Sequence, residues 1–317
     1  IFGPDVATLK EKTVRRTPEQ VVTDTVSILS ELLRKHNSIE LCMDIIYVNK
    51  IGFLTIIGYP IYYRKTSYVK DGKKDTVYSA LDQILRIWNS GGFHIRKIFC
   101  DNGFKAIMDT VKDELDTDIN YSNPQDHEPR IERNNKTIKK QTRIGLYRAS
   151  YKAIPKVMIM ELVIGSTDKF NMFPAKAGVL DHYSPETIVS GKTLNYKQYC
   201  IYEFGEYVQT HNYTEPRNDM RERTLDAIYY RPANNDQIGH RVMDLTTGQI
   251  IIRGRLTAVP MTDTVKNKVE EMVLKKGIGK FKFTNKREVI LIHHDWITGV
   301  DYDILNDKEF NPLTKIE

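Results

Sequence analysis

The chain has 317 residues, 40% hydrophobic and 28% charged, the balance of a folded protein of about two domains rather than a disordered one. Forty-seven Lys and Arg stand against 41 Asp and Glu, a net charge of +6, so the basic excess matters only where it is concentrated. No apolar run approaches the roughly 18 residues of a membrane helix, and the scattered, odd-numbered Cys42, Cys100 and Cys200 argue against disulfides and zinc fingers and for a reducing compartment.

Residues 1–16 carry Lys10, Lys12, Arg15 and Arg16 without a hydrophobic period and read as an extended basic arm. The chain opens on Ile1 with no signal-peptide pattern, as expected of a piece cut from a longer polypeptide. Thr17-Pro18-Glu19-Gln20 has the form of a helix start, with Thr17 as cap and Gln20 closing a capping box, and an apolar stripe carries that helix to about His36. Arm and helix make up a first segment, 1–38. Segments 39–48, 52–59 and 61–69 are rich in β-branched and aromatic residues and parted by Asn49-Lys50 and Gly58-Tyr59-Pro60, which predicts a three-stranded antiparallel meander. A helix at 75–89 follows, with Val77, Leu81, Ile84, Leu85 and Trp88 on one face and Gly91-Gly92 at its end. Strands are expected at 94–100 and 117–121 around a helix at 104–115, then a long helix at about 128–150.

Three strands, helix, strand, helix, strand and long helix make an α/β arrangement with a mixed five-stranded sheet, closer to a ribonuclease-H-like core than to a doubly wound sheet. Helices at 157–173 and 184–190 complete this core, 39–195. Short strands at 206–211, 226–230, 240–245 and 249–253 then recur at about ten-residue intervals, which predicts a small β-barrel over 196–262. The remainder, 263–317, begins with a helix to about 275 and is expected to be a tail or linker.

Three carboxylates stand in telling places. Asp44 lies in the middle of the first apolar strand, where a buried carboxylate needs a partner or a metal; the alternative is an edge-strand aspartate facing water. Asp101 ends the fourth strand before Asn102-Gly103, at the crevice where ligands bind or simply as a turn residue. Glu132 follows Pro129 in the first turns of the long helix, where the helix dipole alone would favour it. Together the three change the weights: in a ribonuclease-H-like sheet these positions converge, and they offer hard oxygen ligands for Mg²⁺ or Mn²⁺. From Glu128 to Arg143 there are six cations, Arg130, Arg133, Lys136, Lys139, Lys140 and Arg143, against two acids. Lys136, Lys139 and Arg143 share the face of Glu132, while Ile131 and Ile138 lie on a core-facing side. A basic ridge leading from a carboxylate site suits a phosphate backbone.

These residues resemble the integrase of a copia-type long-terminal-repeat retrotransposon, one of the Asp-Asp-Glu recombinases. The likeness rests on Asp44 in its hydrophobic strand, Asp101-Asn102-Gly103, Pro124-Gln125, Glu132-Arg133-Asn134-Asn135, the segment Tyr183 to Gly191, Phe204-Gly205 and the hairpin at Gly248. The sequence departs from the family in a short Asp101-to-Glu132 interval, in Asp126-His127-Glu128-Pro129 before the glutamate, and in lacking the family's leading His/Cys zinc domain. The resemblance implies metal-dependent trimming of DNA 3′ ends and strand transfer into target DNA. Asp44, Asp101 and Glu132 would serve as catalytic residues holding two Mg²⁺ or Mn²⁺ ions. It also implies DNA contacts by Lys136, Lys139, Arg133, Asn135 and Arg143, an SH3-like form for the barrel, a homo-oligomer on double-stranded DNA, no membrane partner, and action in the nucleus. A DNA-binding or assembly fragment without catalysis and a ribonuclease H-type nuclease are the alternatives. His127 and the pair His293-His294 read as bystanders, and Trp88 as core.

Overall fold

The structure is a computed structural model that describes residues 5–11, 25–26, 30–71, 73–105, 107, 111, 117–122, 128–212, 220–235, 238–276, 282–284 and 290–293. They fall into two compact units: those within 25–142, 166–193 and 280–317, and those within 1–24, 143–165 and 194–279.

The unit that holds the three carboxylates is built on a mixed sheet. Strands β1 (Ser38–Val48), β2 (Ile51–Tyr59) and β3 (Tyr63–Val69) form the expected antiparallel meander. The first hairpin turns on Asn49 and Lys50 alone, both at positive φ (49° and 61°), the two-residue turn whose twist matches the flanking strands. Strands β4 (His94–Asp101) and β5 (Asp118–Ser122) run parallel to β1, giving the order β3-β2-β1-β4-β5. β1 is therefore a central strand, with Leu41, Cys42 and Met43 all buried, and Asp44 is not an edge residue.

One face of this sheet is covered by the Lys74–Ser90 helix, whose buried stripe contains the five predicted residues from Val77 to Trp88. Their neighbours there are Leu41, Met43, Leu54 and Ile56. Gly58 is the point of closest approach: a Cβ at this position would lie 2.3 Å from Trp88 Cζ2. Trp88 cannot retreat, because it is fully buried and meets Tyr63 and Phe93 edge-on at 5.3 and 5.7 Å. Gly58→Ala is expected to lower stability by about 1–3 kcal/mol through overpacking, read as a lower urea midpoint at unchanged slope. The opposite face receives the Pro129–Arg148 helix, seated by Ile131 on Cys42 and Ile57, and the end of the Lys156–Asn171 helix, where Thr66 and Thr167 hydroxyls meet at 2.8 Å.

The sequence reading of this unit needs two additions. Only Lys105, Ile107 and Val111 of the interior of the 104–115 helix are described, Ile107 and Val111 buried, and Asn102–Phe104 forms a short 3₁₀ turn before them. The tail is more than a linker: β11 (Lys282–Thr284) and β12 (Ile290–His293) form a hairpin, and β11 pairs with Tyr47 and Val48, extending the sheet to seven strands. Its strands are only three and four residues long and stand among mixed charges, too short for a period to show. The capping residues Thr17–Gln20, together with Pro124, Gln125 and His127, lie outside the described residues. No helix among the described residues is long and apolar enough to cross a membrane.

In the other unit β6 (Tyr207–His211), β7 (Thr224–Pro232), β8 (His240–Asp244), β9 (Ile250–Arg253) and β10 (Leu256–Ala258) form an antiparallel sheet in the order β10-β6-β7-β8-β9. Val208, Ala227, Tyr229 and Val242 are its buried centre. The basic arm is corrected here, since Val6–Glu11 is helical. Asp5 caps it, its Oδ2 accepting from the Thr8 N–H and hydroxyl at 3.2 and 3.0 Å. Lys10 then reaches Asp226 and Glu222 at 3.0 and 3.1 Å.

Candidate functional site

Register places the first two carboxylates. β1 and β4 pair in parallel from Ser38↔His94 to Cys42↔Phe99, so Asp44 and Asp101 each lie two residues beyond the last paired residue of their strand. Alternation puts Cys42 and Asp44, and likewise Phe99 and Asp101, on one face. That face is the one on which Ile131 packs, so the start of the Pro129–Arg148 helix lies over the strands that carry both aspartates. Asp44 and Asp101 are half-buried and Glu132, next to Ile131, is exposed.

Asp44 is held by named groups. Its Oδ1 accepts from the Ile45 N–H at 2.7 Å, and its Oδ2 accepts from Asn135 Nδ2 at 2.9 Å. Asn135 Oδ1 in turn accepts from the Thr55 hydroxyl at 2.7 Å. The single hydroxyl proton lies on that shorter contact, since the alternative acceptor, the Asp44 carbonyl, is 3.2 Å away. The amide therefore cannot flip: a turned Asn135 would set its oxygen against the Asp44 carboxylate. This corrects the expectation for Asn135, which is buried and engaged with Asp44 and Thr55 instead of facing DNA.

The other expected DNA contacts sort by exposure. Arg133 and Lys136 are exposed, and Lys139 is half-buried. Arg143 is also half-buried and belongs to the other unit. Arg130, a member of the basic run, is committed elsewhere. Its Nε donates to Glu128 at 2.7 Å and its Nη1 to Glu40 at 3.0 Å, and its guanidinium sits 4.4 Å from the Phe99 ring centre and 5.2 Å from that of Tyr59. The hydrogen bond from Arg130, with Arg96 assisting, holds the Glu40 carboxyl below its usual range against the effect of burial. Glu128 is thereby engaged as an ion-pair partner. Burial pushes the thiols of Cys42 and Cys100, next to this site in sequence, up to about 12, which keeps them protonated at neutral pH.

Carboxylates have the donor chemistry for Mg²⁺ or Mn²⁺. Among the described residues, no three His, Cys, Asp or Glu side chains form a group able to hold a metal ion, so Asp44, Asp101 and Glu132 share a region of the fold without forming such a group. Sequence reasoning missed Thr55, Glu40 and Arg130 as supports of this site. Thr55, a polar residue in the otherwise apolar β2, is the one signal that could have been read.

No protein-family model matches the chain, and no curated protein does. Among solved structures it is similar to the crystal structure of the catalytic core domain of BIV integrase, at 13% identity and a TM-score of 0.36, over 48% of this chain and 93% of that one.

Proposed function

We propose that the chain is a retrotransposon integrase of the copia type, a polynucleotidyl transferase that trims the 3′ ends of element DNA and joins them to target DNA. The observation that supports this reading is the hydrogen bond from Asn135 to Asp44, which joins β1 to the helix that bears Glu132, with Asp44 and Asp101 each two residues past the last paired residues of β1 and β4. In the proposal Asp44, Asp101 and Glu132 would hold two Mg²⁺ or Mn²⁺ ions, whose chemistry would be charge stabilisation of a phosphodiester displacement. The protein supplies the rest. Asn135 and the Ile45 N–H orient Asp44, and exposed Lys136 and Arg133, with Lys139, bind backbone phosphates so that the freed 3′-hydroxyl is aligned on the target phosphorus. As that oxygen–phosphorus bond forms, the target's own 3′-oxygen leaves. The five-stranded antiparallel sheet of the other unit is read as an SH3-like barrel for DNA binding and assembly, in a homo-oligomer that acts in the nucleus.

The test is joining of a labelled duplex, carrying the element's terminal sequence, to a plasmid by purified protein in Mg²⁺ or Mn²⁺. Joined products that vanish with chelator are expected. Salt-sensitive DNA binding without joining would move the assignment to a non-catalytic binding module. Cleavage of an RNA·DNA hybrid without joining would move it to a ribonuclease H-type nuclease.

A further inference from the structure

The tail hairpin shares an edge of β1 with β4. Strand β2 pairs with β1 from Glu40 to Val48, so β4 and β11 both lie on the other edge. Among the described residues, the ladder with β4 covers Ser38–Cys42 and the ladder with β11 covers Tyr47 and Val48. Asp44 stands in the stretch between them, two residues past one ladder and three before the other. Because β1 and β4 are parallel, this stretch borders the crevice outside the carboxyl end of β4, where open α/β sheets bind their ligands. β11 runs antiparallel to β1, with Phe283 opposite Val48 and Thr284 opposite Tyr47. The end of the hairpin where Thr284 pairs with Ile290 is therefore the end nearer to Asp44. Residues 280–287 contain Lys280, Lys282, Lys286 and Arg287 and no acid, which suits a seat beside Asp44 and Asp101. The seat is also weak: β11 has three residues and meets β1 through two, and a two-stranded hairpin alone is marginal in water. The tail thus depends on β1 for its strand form and can leave it as a unit.

We propose that the tail hairpin is an autoinhibitory strap: seated on the edge of β1, it occupies the crevice at Asp44 and Asp101, and duplex DNA is bound there only when β11 leaves Tyr47 and Val48. The inference rests on the reading of that crevice as the place where DNA is joined.

The experiment measures binding of a labelled DNA duplex to the full chain by fluorescence anisotropy in chelator, and joining of the same duplex in Mg²⁺ or Mn²⁺. Cys200, the exposed thiol, is changed to Ser throughout, while Cys42 and Cys100 are buried and stay. Tyr47→Cys with Thr284→Cys puts two thiols at opposed positions of an antiparallel ladder, where Cα atoms about 4.5–5.5 Å apart allow a disulfide. Oxidation should lock the hairpin on β1 and weaken duplex binding about tenfold or more, and reduction of the same sample should restore it. Thr284→Pro removes an N–H from the hairpin and releases it, and should bind the duplex about tenfold more tightly than the parent chain. Three results overturn the proposal. One is failure of the two cysteines to close under oxidant, because β11 is then not held beside β1. Another is equal binding and equal joining before and after reduction. The third is weaker binding by Thr284→Pro, which would make the basic hairpin a DNA contact instead of a strap. If no sample joins DNA but reduction restores duplex binding, the transferase reading falls and the strap stands. If oxidised and reduced protein join DNA equally well, the transferase reading stands and the strap falls.

Discussion

Asp44→Asn is expected to reduce DNA joining on the order of 10³-fold or more while leaving the chain folded. The activity loss follows from removing a negative oxygen donor from the proposed cation site, where transition-state charge stabilisation is worth several kcal/mol and each 1.36 kcal/mol is about tenfold in rate. The fold survives because an asparagine at 44 still presents an oxygen to Asn135 Nδ2, so the link between β1 and the helix remains. Asn135→Ala is the informative contrast. It removes the donor to Asp44 Oδ2 and the acceptor of the Thr55 hydroxyl together, leaving that hydroxyl only the longer contact to the Asp44 carbonyl. That variant should lose about 1–3 kcal/mol of stability. It should also lose about 10–100-fold in joining, since the carboxylate is retained but no longer oriented. Urea midpoints and joining rates measured on the same preparations separate the two effects. An Asp44→Asn protein that joins DNA at near wild-type rate would remove Asp44 from the chemistry.

The meander and the helix after it were legible because burial and period agree there. β2 is buried at every position but its last, as a central strand must be, and the stripe from Val77 to Trp88 keeps helical spacing without a break. The aspartates were legible for the opposite reason, as polar residues in apolar strands. Asn135 was misjudged because a polar residue on a cationic helix reads as surface, and only register reveals that it lands over Asp44 and Thr55. Arg130 was hidden in the same way: its neighbours Glu40, Tyr59 and Phe99 are 90, 71 and 31 residues away in sequence, and no local pattern connects them. The Val6–Glu11 helix was missed although Asp5 and Thr8 stand at capping distance, because its six residues bury nothing and so show no period. β10, three residues long and half-buried throughout, is below what alternation can register.

In the other unit, removal of the Glu161 carboxylate is expected to be among the most damaging single changes to stability. Glu161 lies on the Lys156–Asn171 helix between Met160 and Leu162 and is nearly inaccessible, at 4% exposure. Arg241 grips it with two nitrogens, Nε on Oε2 at 3.0 Å and Nη2 on Oε1 at 2.8 Å, and Arg231 Nε adds a third contact to Oε2 at 2.7 Å. Gly165, one turn along the helix, makes the space for this, since a Cβ there would come within 3.2 Å of the Arg231 stem. One carboxylate thus ties a helix to β7 and β8, and both its oxygens are used. Glu161→Leu would leave two guanidinium groups beside an apolar side chain, and breaking a buried pair from one side costs about 3–5 kcal/mol. The loss comes from the stranded charges more than from the missing bonds, which gives the test its second arm. Replacing Glu161, Arg231 and Arg241 together by Met removes all three charges and should cost much less than Glu161→Leu alone, because no buried group is then left unpaired. Urea unfolding of the two variants decides the matter. A triple variant less stable than the single one would mean that the ion triad stabilises this unit outright, and that its arginines are not the source of the penalty.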